Sequence, residues 1–338
     1  MRTKRIILNT SLALLMCTAA GNLKAQDPHY TQYYIYPSWL NPALTGVFDG
    51  DCRVSGIYRS QWGNVSAPYK TPGISADFNT IRNASFGVSA LQQKAGDGGY
   101  SYTTAYGSMA FSGVRFGKNG YHRLNLGLQA GIIQKRFDPT KTSFGNQYNP
   151  VTGEFDPTMM AGESFARTSS TNFDAGAGIL YFDATPGKKM NLFGGVSVSH
   201  LTRPSDKFLE SSAEAKLAMR YTFHAGVRIM LSETMSITPN ALYMRQGGAQ
   251  EKMIGAFMQC RATAETDFML GANLRLSDAI SPFVGLNYRD WVLGVSYDVN
   301  TSDLGKIAKG SNSFELSLST TIRRKAKTDE VEFVCPRL

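Results

Sequence analysis

The stretch RLNLGLQAGI at 123–132 puts Leu124, Leu126, Leu128, Ala130 and Ile132 on one side of the chain and Arg123, Asn125, Gly127, Gln129 and Gly131 on the other. A strict period of two is the signature of a β-strand with one apolar and one polar face. The pattern recurs. Phe314, Leu316, Leu318 and Ile322 alternate with Glu315, Ser317, Ser319 and Thr321. Trp291, Leu293, Val295, Tyr297 and Val299 alternate with Gly294, Ser296, Asp298 and Asn300, and Leu270, Ala272, Leu274 and Leu276 with Gly271, Asn273, Arg275 and Ser277. About fourteen such segments follow one another, at 51–62, 71–79, 84–95, 100–114, 122–137, 172–184, 190–202, 216–231, 235–246, 251–263, 267–276, 281–289, 291–301 and 312–324. Strands of ~9–11 residues cross a bilayer at a tilt. The expected fold is therefore all-β, an antiparallel transmembrane barrel of about fourteen strands.

The connections alternate in length as such a barrel requires. The even-numbered ones are short, at 80–83, 116–121, 185–189, 232–234, 264–266 and 289–290. The odd-numbered ones include 63–70, the long 138–171, 203–215 and 302–311, although 247–250 and 278–280 are short. Aromatics gather near segment ends, as in Tyr58, Trp62, Tyr181, Tyr243, Tyr288 and Trp291, where interface girdles lie. A soluble β-sandwich would alternate too, but its polar face is solvated and should be rich in Lys and Glu. Here that face is mostly Gly, Ser, Asn and Thr with isolated Arg.

Composition agrees. The 338 residues hold 18% charged side chains, against the roughly 25% of a soluble average. Gly 33, Tyr 16 and Phe 19 suit a β-rich chain whose outer surface does not face water, and so much apolar and aromatic material excludes intrinsic disorder. After residue 25 no run of ~20 apolar residues makes a spanning helix.

Residues 1–25 read as a secretory signal: Arg2, Lys4 and Arg5, then a mostly apolar stretch from Ile6 to Ala20, with Ala25 closing an imperfect cleavage site. Cys17 follows Met16, a poor lipoprotein site, and the stretch is too short to span easily as an anchor. Removing the signal takes away Arg2, Lys4, Arg5 and Lys24, so the formal charge falls from +9 to about +5. Nucleic-acid binding then loses its main support, and no reading motif replaces it.

Catalytic and cofactor motifs are missing. His29, His122, His200 and His224 form no paired ligand spacing, and Cys52, Cys260 and Cys335 no zinc or redox motif. There is no GxSxG elbow, and Gly176 and Gly178 are strand glycines, since Tyr181 stands where a nucleotide loop needs its last Gly. Asp49, Asp51, Asp97 and Asp303 read as polar loop or strand-end residues. No catalytic, cofactor or metal site is expected.

Residues 26–48 do not alternate. Pro28, Pro37 and Pro42 punctuate them, yet they carry His29, Tyr30, Tyr33, Tyr34, Tyr36 and Trp39. Proline is poorly placed inside a strand, and so many aromatics should be buried. The segment is expected to form a plug or collar at the barrel, with a loose periplasmic tail as the alternative. The division is then a signal at 1–25, the plug at 26–48, the barrel at 49–325 and a periplasmic tail at 326–338, with both mature termini in the periplasm.

The same segment carries a resemblance. Gln26-Asp27-Pro28, Gln32-Tyr33, Leu40-Asn41-Pro42-Ala43 and Gly46 resemble the mature start of the PorP/SprF family, outer-membrane proteins linked to the type IX secretion system of the Bacteroidota. Tyr58-Arg59-Ser60-Gln61-Trp62, Thr71-Pro72-Gly73, Asp77-Phe78, Asp278-Ala279-Ile280, the stretch from Gly294 to Asn300, the stretch from Phe314 to Leu318 and the terminal Cys335-Pro336-Arg337 also fit. The resemblance implies a non-enzymatic barrel used in secretion or gliding motility. It would contact secretion-system subunits or hold a secreted surface adhesin, and sit in outer-membrane lipid. It marks Gln32, Asn41, Pro42, Gly46, Arg59, Gln61, Trp62, Pro336 and Arg337 as structural or partner-facing. A barrel of this size is too narrow for a folded protein, so docking is expected rather than conduction of a large cargo. The alternative is an outer-membrane channel for small, hydrophobic solutes. Topology adds a candidate Cys52–Cys335 disulfide tying the tail to the barrel seam, against two free thiols.

Overall fold

The computed structural model describes residues 27–63, 68–80, 83–95, 99–141, 147–149, 152–156, 158–159, 167–206, 215–302 and 312–323. The signal region, Cys335, Pro336, Arg337 and much of 138–171 lie outside the described residues. Fourteen antiparallel strands close into one barrel. They are β1 (Cys52–Gln61), β2 (Tyr69–Asn79), β3 (Ala84–Ala95), β4 (Tyr100–Phe116), β5 (His122–Phe137), β6 (Ser169–Asp183) and β7 (Met190–Ser199). There follow β8 (Arg220–Met230), β9 (Met235–Gln246), β10 (Ala249–Thr263), β11 (Thr266–Arg275), β12 (Ala279–Tyr288), β13 (Trp291–Asn300) and β14 (Ser313–Ile322). Each strand pairs with its sequence neighbours, and β1 closes on β14 from Cys52↔Ile322 to Gln61↔Ser313. Closure leaves no sheet edge, as a bilayer demands, because an unpaired backbone group in hydrocarbon costs several kcal/mol.

The alternation in sequence becomes an inside and an outside. In β5, Leu126 and Leu128 are 43% and 58% exposed on the outer face, while Asn125 and Gln129 are 2% and 7% exposed on the inner one. Along β13 and β14, Trp291, Leu293, Val295, Phe314, Leu316 and Leu318 point outward, and Ser296, Asp298, Glu315 and Ser317 are buried in the lumen. The largest departure in strand position is at β8, which starts at Arg220 rather than 216. Ala215–Lys216 instead pairs with Ser205–Asp206 in a small ribbon within the connection.

One rim carries the short turns, the start of β1 and the end of β14; we call it the turn rim. The other carries the longer connections and is the loop rim. The segment before β1 does not hang free. Its one-turn helix α1 (Pro37–Leu40) and a 3-10 turn at Pro42–Leu44 lie inside the barrel, touching β3 to β7. Tyr30, Tyr33, Tyr34, Ile35, Tyr36, Leu40, Leu44 and Val47 are all buried there.

Candidate functional site

The lumen is filled by the chain itself, and the site is the interface between this plug and the inner wall. It begins toward the loop rim. Asp27 donates its backbone N–H to Gln246 Oε1 (2.8 Å), at the end of β9. Its carboxylate meets His200 Nε2 at 2.6 Å and Arg220 Nη1 at 3.1 Å, and His200 Nδ1 reaches Asp174 Oδ2 at 2.8 Å. Tyr106 donates to the same Asp174 oxygen (2.7 Å). Burial alone would raise the Asp27 carboxyl, but His200 and Arg220 outweigh it and hold the group well below its ordinary range. Burial likewise disfavours a charged His200, yet the two aspartates outweigh it and push the imidazole up to about 9. His200 is therefore a cation between two anions. Arg220 also donates to the Trp39 carbonyl (2.9 Å) and lies 4.2 Å over its ring.

A second buried network stands across the lumen on β1, β11, β13 and β14. Arg59 meets Asp298 at 2.6 Å and Glu315 at 3.1 Å, and Arg275 meets Asp298 at 2.5 Å. The plug completes it. Glu315 accepts the backbone N–H of Thr31 (3.0 Å) and of Gln32 (2.6 Å), and Thr31 Oγ1 donates to Asp298 (2.8 Å). Gln32 Nε2 donates to Ser296 Oγ and to the Glu315 carbonyl, while its Oε1 accepts from Ser317 Oγ at 2.7 Å. His29 Nδ1 lies 3.6 Å from Glu251, but burial and the nearby Arg275 and Arg59 keep the imidazole neutral, so this contact is not an ion pair.

Midway down, three wall glycines receive the turn at Asn41. A Cβ on Gly127 would fall 2.2 Å from Ala43 N, one on Gly178 2.0 Å from Asn41 Oδ1, and one on Gly195 2.7 Å from Asn41 Nδ2. Into that recess Asn41 caps its own 3-10 turn, accepting from Ala43 N (2.9 Å), and donates to the Ile179 carbonyl (3.1 Å). It also lies 3.2 Å from His224 Nε2. Below it the chain turns out through Gly46, at φ +75, where a Cβ would strike Ser85.

A family model described as "Type IX secretion system membrane protein PorP/SprF" matches residues 22–320. The chain belongs to the PorP/SprF family. This PorP/SprF barrel is similar in fold to the Ralstonia pickettii toluene transporter TbuX, with TM-score 0.50 and 11% identity over 86% of this chain and 94% of that one. It is also similar to the CymD monoaromatic hydrocarbon channel, with TM-score 0.47 and 12% identity over 91% and 97%. Comparison with curated proteins returns no match.

Of the residues singled out in sequence, the PorP/SprF fold brings Gln32, Asn41, Pro42, Gly46 and Arg59 together in the lumen. Gln61 and Trp62 stand apart at the loop rim, where Trp62 packs edge-on against Tyr69 at 5.4 Å. Cys52 starts β1 opposite Ile322, the last residue of β14. The first described residue, Asp27, lies among loop-rim strand ends. The N-terminal end therefore departs from the expectation of two termini on the turn side, because Asp27 is held by partners at the far end of β9 and the near end of β8. Sequence reading missed His200, Arg220, Asp298 and Glu315 as plug contacts, and Asp174 and Arg275 as the residues that pair with His200 and Asp298. Their signal was there: each is a charge or imidazole on, or at the end of, the inner face of a membrane strand, and such a group needs a partner.

Proposed function

We propose that this chain is a non-enzymatic docking and anchoring component of the type IX secretion apparatus. Its turn rim and the tail after β14 face periplasmic subunits, and its loop rim faces a secreted surface adhesin. The observation that carries the reading is the bolted plug: a lumen filled from Asp27 to Phe48 by the chain's own residues offers a rigid platform, not a conduit. Family membership supplies the secretion-system association. In this reading residues 1–25 are a cleaved signal, and 326–338 form a periplasmic tail whose Cys335 closes a disulfide with Cys52. Non-reducing peptide mapping of the native protein that finds both thiols alkylatable removes the disulfide. Affinity purification from native membranes with mass spectrometry tests the main reading. Secretion-system subunits or a large surface protein should co-purify, and their absence from a folded, membrane-inserted preparation overturns it.

One observation favours a second reading, a channel for small hydrophobic solutes. A cavity of about 140 Å³ opens beside the plug at the turn rim, lined by apolar residues such as Tyr34, Leu44 and Phe257 and also by charged ones such as Arg53, Arg289 and Asp290. The similar TbuX fold is described as a toluene transporter. Solute-dependent flux through reconstituted barrels, with no co-purifying subunit, would select this reading.

A further inference from the structure

On β2 to β6 the outer face changes character toward the loop rim. On β2 to β6 the row Ile74, Ala90, Ala105, Ile132 and Phe173 is apolar, each residue directly opposite the next. Two residues further toward the loop rim stand Gln92, Thr103, Gln134 and Thr171, again in register. Two further still comes a basic row: Lys70 opposite Lys94, Lys94 opposite Ser101, Ser101 opposite Arg136. All three cations are exposed. Strands lie about 4.8 Å apart and rows two residues apart about 7 Å, so the basic row stands about 14 Å along the strands from the last apolar row, with the Gln and Thr row between them.

Like charges directly opposite each other on neighbouring strands oppose pairing. Lys70 and Lys94 are such a pair, and among the described residues neither has an ion-paired carboxylate. Asp138, off the row, is near enough to Arg136 to feel it, but its carboxylate accepts from Thr140. Asp97, in the β3–β4 connection, lies outside the described residues. A bound anion would offset the repulsion, and the fork of Arg136, two strands and about 10 Å from Lys94, suits a phosphate oxygen pair.

We infer that this surface binds the phosphorylated headgroup of a membrane lipid. The cations take the phosphate and the acyl chains lie along Ile74, Ile132 and Phe173. Between them, Gln92 donates to Thr103 and Gln134 to Thr171 at 3.3 Å each, which aligns the row and turns the Gln side-chain carbonyls and Thr hydroxyls to headgroup hydroxyls. The apolar row is what distinguishes a lipid from free phosphate, because a soluble anion gains nothing from it. With the loop rim outward, as in the proposed function, the lipid is a phosphorylated glycolipid of the outer leaflet.

The test reconstitutes the full-length barrel in phosphatidylcholine nanodiscs doped with bisphosphorylated lipid A, or with the same lipid A after phosphatase treatment. Retained lipid is counted by native mass spectrometry. The phosphorylated form should be retained at least about tenfold better. Lys70→Gln/Lys94→Gln should lose roughly twenty-fivefold, at about fivefold per cation near a charged surface. Arg245→Gln/Lys252→Gln, outward cations on β9 and β10, should stay within about twofold and controls for net charge. Should the Lys double variant fold poorly, Arg136→Gln alone should still lose about fivefold. Equal retention of dephosphorylated lipid, unchanged retention by both row variants, or full displacement of lipid A by millimolar inorganic phosphate overturns the inference.

Discussion

Glu315→Gln is the sharpest single perturbation of the plug. The Glu315 carboxylate accepts from Thr31 N, Gln32 N and Arg59 Nη1 at 3.0, 2.6 and 3.1 Å. Hydrogen bonds to a charged group contribute about 1.5–3 kcal/mol each, and removing one partner of a buried pair costs about 3–5 kcal/mol. The amide keeps one carbonyl acceptor, so the low end applies, about 3 kcal/mol. What falls on plug release is the pair of backbone bonds from Thr31 and Gln32, because Arg59 and Glu315 face each other on neighbouring wall strands and lose their pairing whether the plug is in or out; two bonds to a charged acceptor, at about 1.5 kcal/mol each, give the same figure. At 1.4 kcal/mol per decade the open population rises roughly a hundredfold. Hydrogen exchange of peptides from 27–48 in the lipid-reconstituted protein reads this directly: protection there should fall about a hundredfold while β3 to β6 exchange as in wild type. If 27–48 exchanges at the wild-type rate in Glu315→Gln, the plug is not held by this network.

Other outcomes follow from the same geometry. Leu126→Arg should cost ~2–4 kcal/mol near the midplane in lipid unfolding titrations. Asn125→Arg, on the opposite face, should spare the lipid contact but disturb the plug, since Asn125 is buried beneath Ala43; loss of 27–48 protection separates the two. Gly178→Val should expel Asn41 from its recess, detected as faster exchange at 39–46 with the strands unchanged. The pH dependence has a definite sign. His200 is raised, so its contribution is complete below about 6.5 and fades as pH rises through about 9. Asp27 is lowered, so its contribution is complete above about 3.8 and is lost as pH falls further. His29 is lowered, so its contribution is complete above about 6.5 and falls away as pH drops below that value. Plug protection should therefore peak near pH 6.5 and weaken on both sides, whereas His200→Gln should remove the alkaline step.

Much of the barrel was legible because lipid makes the rule strict. A residue such as Leu128 has no role on an inner wall, and Ser317 none in hydrocarbon, so period two fixed both face and register. The plug was legible only as a need for burial, since Tyr33 and Tyr36 carry no periodicity to say what covers them. Its partners were harder. Glu315 and Asp298 read as ordinary inner-face polar positions, and nothing local tells that strands 256 and 239 residues away place Arg59 between them. Gly127 and Gly178 looked like strand punctuation; their reason, a recess for Asn41, exists only once three strands stand side by side.

The plug also constrains how any cargo relates to this barrel. Passing a polypeptide through the lumen would mean withdrawing a segment tied by two separate buried charge networks and seated in a glycine recess. In the first network His200 and Arg220 lose the Asp27 carboxylate, at about 3–5 kcal/mol for a broken buried pair. In the second, Glu315 and Asp298 keep their wall partners but lose the Thr31 and Gln32 donors, at about 1.5–3 kcal/mol per bond to a charged group. A partner docking on either rim gives up none of this. Nor would it need to reshape the barrel, because the plug already fixes the inner wall on both sides of the lumen. A cargo that engages the rims therefore meets a preorganised surface, and one that threads the pore must first compete with the chain's own residues for Asp298, Glu315 and Arg220.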